Sequence, residues 1–184
     1  MTRFLTLYRR LDTLAPLLLP LAARLVFAGV LLGYFWASAV TKLGPGIGGL
    51  FTPSLGAYAQ IFPRAFEAAA YDLGQMGLWH RLVVLAGTWA EFVLPALIAI
   101  GLLTRPAALG MMGFVVVQSL TDIIGHGADA TTIGHWFDRA PDAAILDQRG
   151  LWMLLLAVPL FLGGGALSVD RLLVRRVAAM SQPA

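Results

Sequence analysis

Polar residues are sparse in this chain, and long apolar runs separate them. The first run, Leu14–Val40, is interrupted by Arg24 and closed by Lys42. The second, Leu82–Thr104, carries Glu91 as its one ionisable residue. Thr104-Arg105-Pro106 turns into a third run, Ala107–Ile124, and a fourth, starting at Asp142 or Gly150, ends at Leu162 before Gly163-Gly164-Gly165. At ~1.5 Å rise per residue, helices of this length cross the ~30 Å hydrocarbon core of a bilayer. The pattern predicts membrane helices over about 14–42, 81–103, 107–124 and 148–163, with a basic amphipathic tail helix over about 168–180. Arg3, Arg9 and Arg10 before an apolar run with Ala37-Ser38-Ala39 also fit a signal peptide, but the run exceeds the ~7–15 residues of a signal core. The fold class is all-α: an integral membrane four-helix bundle, with residues 1–184 as a single transmembrane domain.

Two long connections lie on the side away from the termini. Gly44–His80 opens with Gly44-Pro45-Gly46 and Gly48-Gly49, which stop the first helix. Beyond it, Tyr58, Ile61, Phe62, Phe66 and Ala70 recur at three- and four-residue spacings. They predict short amphipathic helices broken at Pro63, either on the membrane surface or as a lid packed over the bundle. The second connection, Gly125–Gln148, holds His126, Asp129, His135, Asp138, Asp142 and Asp147.

Composition agrees: 59% of the 184 residues are hydrophobic and 12% charged, against about 25% charged in soluble domains. The net charge of +3 forms no nucleic-acid patch; the partners expected are the lipid bilayer and a protein or metallated peptide, with self-association left open. Cysteine is absent, which removes disulfides and thiolate ligands. Four helices place both termini on one side, with Arg3, Arg9, Arg10, Arg105, Arg171, Arg175 and Arg176. The other side has fewer bases, so the positive-inside rule puts the termini in the cytoplasm of a bacterial inner membrane and both long loops in the periplasm.

Glu91 is the leading candidate for chemistry. A carboxylate in a membrane helix is costly unless it faces protein or water, and there it can move protons, hold a cation or bind a quinone head group. Asp122 joins it as a candidate catalytic residue. Arg24, Trp89 and Gln118 are candidate cofactor-binding residues, with Gln118 and Asp122 on one face of the third helix. Arg24 either snorkels to the headgroups or turns inward to pair with Glu91. His80, His126 and His135 share the loop side with Asp138, and imidazole with carboxylate or thioether suits zinc, iron or copper. Their spacing matches no strong metal motif, so solvated loop histidines are the alternative. Copper, quinone and haem are the cofactors considered.

Arg24-Leu25-Val26-Phe27-Ala28-Gly29, Lys42, Glu91, Gly101-Leu102-Leu103-Thr104-Arg105 with Ala107-Ala108, and Gly165-Ala166-Leu167-Ser168-Val169-Asp170 resemble the DoxX family across all four helices. Gly56-Ala57-Tyr58-Ala59-Gln60-Ile61-Phe62-Pro63, Ala86-Gly87-Thr88-Trp89-Ala90-Glu91, Thr121-Asp122-Ile123-Ile124-Gly125-His126-Gly127, Trp136-Phe137-Asp138 and Asp147-Gln148-Arg149 look like its HvfX-like branch. The resemblance implies a four-helix membrane component linked to maturation of copper-binding peptides and metal stress. The family's namesake alternatively implies a quinone-linked redox subunit. Glu91, Asp122, His126, His135 and Asp138 are the residues it marks. Some relatives carry cysteine pairs; this chain has none.

Overall fold

The computed structural model describes residues 2–180. Among them four helices are long and apolar enough to cross a membrane: Tyr8–Thr41, Leu78–Ile100, Thr104–Gly125 and Ala144–Leu162. No strand forms among the described residues; Leu43 and Pro53 make an isolated bridge at the neck of the first loop. The chain is an all-α, multi-pass membrane protein.

The first span is one rod: α1 (Thr2–Phe27), a π turn (Ala28–Leu32) and α2 (Gly33–Thr41). It begins well before residue 14, because hydropathy marks where a helix meets lipid and not where its hydrogen bonds start. Ala23, Phe27, Leu31, Phe35 and Ala39 are all buried. That stripe repeats every four residues, which drifts off the face of a 3.6-residue helix. The π turn inserts one extra residue and brings Phe35 and Ala39 back to the core.

The first loop carries α3 (Leu55–Ile61) and α4 (Pro63–Ala68), parted at Pro63, which starts α4 where its missing N–H costs nothing. Tyr58 and Phe66 bury themselves against Val84 of α5 (Leu78–Ile100). The third span is α6 (Thr104–Leu120) continued by a π turn (Thr121–Gly125). A four-residue α7 (Ala130–Ile133) lies in the second loop. The fourth span is a π turn (Ala144–Arg149) and α8 (Gly150–Leu162), and α9 (Val169–Met180) closes the described chain.

The spans form a ring in chain order: first on second, second on third, third on fourth, fourth back on first. Phe27, Leu31, Phe35, Ile98, Met111, Val115 and Leu156 fill its centre. Large apolar residues such as Val30, Leu109, Leu154 and Phe161 stay exposed on the outward faces, as a lipid solvent permits.

The terminus-side end is tied by a polar knot. Arg24, 4% exposed, donates from Nε to Ile98 O (2.8 Å) and from Nη2 to Ala99 O (2.8 Å) at the C-terminus of α5. Its Nη1 donates to Gly164 O (2.6 Å) and Leu167 O (2.7 Å). Both the planar fork and the positive charge suit a cluster of helix-end carbonyls. Asp170 answers at the start of α6, accepting from Leu103 N, Thr104 N and the Thr104 hydroxyl at 2.7, 2.8 and 2.6 Å. Burial alone would raise the Asp170 carboxyl; those bonds and the Arg24 charge outweigh it and hold it below the usual carboxylate range. Gly101 sits between them at φ +72°, and a Cβ there would lie 2.6 Å from the Arg24 guanidinium carbon. Neither expectation for Arg24 survives. It does not snorkel and does not reach Glu91, because four carbonyls, two at the end of α5 and two just after α8, satisfy it where it stands.

Candidate functional site

Glu91 is 3% exposed on the inward face of α5. Its partner is Lys42, the residue that ends the first span. The Lys42 ammonium folds back along its own helix to the Ser38 hydroxyl (2.7 Å) and to Glu91 Oε2 and Oε1 (2.8 and 3.0 Å). The Ser38 hydroxyl is a further 3.4 Å from Oε1. A buried pair of this kind holds only if the remaining donors and acceptors are also met, and here Ser38 meets them. Since Lys42 caps the first span, the pair lies toward the loop side of the bundle.

The pair forms one wall of a cleft of about 440 Å³ between the second and third spans. Small residues make the room: Ala86, Gly87 and Ala90 on α5 face Gly110 and Gly113 on α6. A Cβ on Gly113 would meet nothing within 4 Å, and Gly113 and Val117 are exposed, so the cleft is open along α6. Polarity is graded along it. Leu94, Gly110 and Phe114 line the deep part, while Gln118, Asp122, His126 and Gln60 line the loop-side end.

All but one of the polar groups at that end are held. Asp122, on the π turn that ends the third span, accepts from Arg149 Nη2, and Arg149 Nη1 donates to the Ser119 hydroxyl (3.1 Å). His126 Nε2 lies 3.0 Å from the carbonyl of Gln60. A carbonyl can only accept, so Nε2 carries a proton, and in that neutral tautomer Nδ1 is an acceptor. Gln118 Nε2 donates to the Tyr34 hydroxyl (3.1 Å), leaving Gln118 Oε1 buried without a partner. Tyr34 can donate or accept, so turning the amide over leaves the NH₂ group unpartnered instead. An unmet buried polar atom in the wall of a cavity is a place for a ligand group.

The other expected site residues are dispersed. Trp89 donates to Leu50 O (3.1 Å) and packs on Phe51, pinning the first loop outside the cleft. His80 stands edge-on to Phe62, with its Nδ1 buried and unpartnered. His135 turns its Nδ1 to Trp136 O, and Asp138 caps Ala140 N, both in an exposed turn. Among the described residues no three His, Cys, Asp or Glu side chains form a group able to hold a metal. The cleft gathers Glu91, Gln118, Asp122 and His126 and leaves out Arg24, Trp89, His80, His135 and Asp138. The sequence reading missed three site residues. The pattern marks Lys42 only as the close of the first run and gives no site role to Arg149 or Ser38. Their signal was a need: Glu91 and Asp122 each required a cation.

No protein-family model, curated protein or solved structure matches this chain. Two groups of residues singled out in the sequence come together in the structure. Arg24, Gly101, Leu103, Thr104 and the 165–170 stretch build the terminus-side knot. Lys42, Glu91, Asp122 and His126 border the cleft.

Proposed function

We propose that this protein is a membrane component that binds the head group of a lipid-soluble quinone in the cleft between its second and third spans. The observation that carries the reading is the unpartnered Gln118 amide atom at the polar end of a graded, sideways-open cleft. A quinol hydroxyl would donate to Gln118 Oε1, and in the other amide orientation a quinone carbonyl would accept from the NH₂. His126 Nδ1 is the acceptor for a head-group proton, and the Lys42–Glu91 pair supplies a fixed dipole beside the ring. The isoprenoid chain would leave past Gly110 and Gly113 into lipid.

The setting in copper-peptide maturation or metal stress is proposed from the motif resemblance, and the quinone chemistry from the geometry. The electron partner would be a protein or metallated peptide on the loop side. The termini are proposed to be cytoplasmic in a bacterial inner membrane, on the distribution of arginines. A reporter inserted at Asp129 should then be active only as a periplasmic fusion. Cytoplasmic activity there would reverse the assignment.

Gly113→Leu tests the binding. The new side chain enters open space, and losing a helical glycine favours folding by roughly 0.5–1 kcal/mol, so the melting temperature should hold or rise. Affinity for a short-chain ubiquinone analogue should fall at least tenfold, read by calorimetry on detergent-purified protein. Gln118→Leu should lose about tenfold, the worth of one hydrogen bond of roughly 1.4 kcal/mol. Undiminished binding in Gly113→Leu would remove the cleft from the proposal.

A further inference from the structure

A second cavity, of about 710 Å³, lies between the first and fourth spans. Because the spans follow one another in a ring, it opens on the face opposite the quinone cleft. Its polarity is graded too. Tyr34, Gln148 and Arg149 stand at the loop-side end, and Val30, Val26 and Leu155 wall it toward the middle of the bundle. The gradient runs along the helix axes, as it does along a lipid molecule.

Arg149 is 7% exposed. Its Nη1 and Nη2 serve Ser119 and Asp122, but its Nε is buried with no partner. In the amide orientation that leaves Gln118 Oε1 unmet, the Tyr34 hydroxyl accepts from Gln118 and keeps its own proton for another acceptor. The unmet groups are therefore donors, one of them on a cation. An anion with several acceptor oxygens and an apolar tail fits both ends.

We propose that this groove holds one anionic phospholipid, its phosphate on Arg149 Nε–H and Tyr34 O–H and an acyl chain along Val30, Val26 and Leu155. Its phosphate adds the charge-assisted bond that Asp122, as a single carboxylate, leaves unmade on the guanidinium. None of these five residues lines the quinone cleft, although Arg149 and Tyr34 each bond one that does, Asp122 and Gln118.

The test is native mass spectrometry on delipidated, detergent-purified protein titrated with phosphatidylglycerol, phosphatidylcholine or glycerol 3-phosphate. A single phosphatidylglycerol adduct should appear at a concentration at least tenfold lower than for phosphatidylcholine, with no adduct from glycerol 3-phosphate. Val30→Trp fills the groove from a position 64% exposed and should weaken the adduct at least tenfold. Leu109→Trp, on an exposed face outside both cavities, should leave it unchanged. Tyr34→Phe, which removes one oxygen, should weaken it several-fold. Equal retention of the two lipids, glycerol 3-phosphate binding as tightly as phosphatidylglycerol, or an unchanged adduct in Val30→Trp or Tyr34→Phe would each overturn the proposal.

Discussion

Arg24→Ala should destabilise the protein by about 3–5 kcal/mol, the cost of stripping partners from a buried, charge-assisted cluster. Four carbonyls, from Ile98, Ala99, Gly164 and Leu167, would lose their shared donor. At roughly 2–4 °C per kcal/mol for a chain of this size, the melting temperature in detergent should drop by about 10 °C. Arg24→Lys should recover less than half. Three donors on a compact ammonium cannot span carbonyls that the guanidinium fork reaches from both sides. A melting temperature for Arg24→Ala within about 2 °C of the wild type would mean that the knot does not hold the spans together.

Lys42→Met should cost a similar amount, about 3–5 kcal/mol, because it leaves the Glu91 carboxylate buried without a counter-charge. Replacing both members is a different experiment. A double Lys42→Met, Glu91→Leu protein should return to within about 1 kcal/mol of the wild type, since apolar side chains of similar volume often substitute for a buried pair without loss. The coupling from the full cycle should exceed about 2 kcal/mol, in the upper part of the range for residues in contact. Quinone binding separates structure from function here. If the pair serves the head group, the double variant folds but binds the quinone analogue at least tenfold more weakly. Glu91→Gln, which keeps the shape and removes the charge, should fold and show the same binding defect. Additive single and double effects on stability would contradict the pairing.

The four spans were legible because a bilayer imposes length and apolarity directly on sequence. The need at Glu91 was legible too, because an ionisable residue in such a run must be met. Its partner was not. Arg24 interrupts the first apolar run and Lys42 closes it, and sequence does not say which one the fold turns inward to Glu91. Arg24 looked available only because its real partners are backbone carbonyls, which leave no mark in side-chain patterns. The π turns were not readable in a nearly uniform apolar run, and only burial reveals the first. The strict four-residue repeat Ala23, Phe27, Leu31, Phe35, Ala39 is the trace of the first. The turn at Ala144–Arg149 carries no such stripe. It moved the start of the fourth span back to Ala144 and Arg149 into the bundle wall, where Asp122 meets it. The histidines shared a side, as counting helices implied, but two long loops fix them at separate places. A glycine in a membrane helix usually marks close packing, yet Gly113 opens a cleft.

The most direct measurement is photolabelling in native membranes with an azido-ubiquinone analogue, followed by peptide mapping. The cleft predicts adducts within residues 83–94 and 110–126, suppressed by excess unmodified quinone and lost in Gly113→Leu. Labels confined to the first and fourth spans, or labels that excess quinone does not displace, would contradict it.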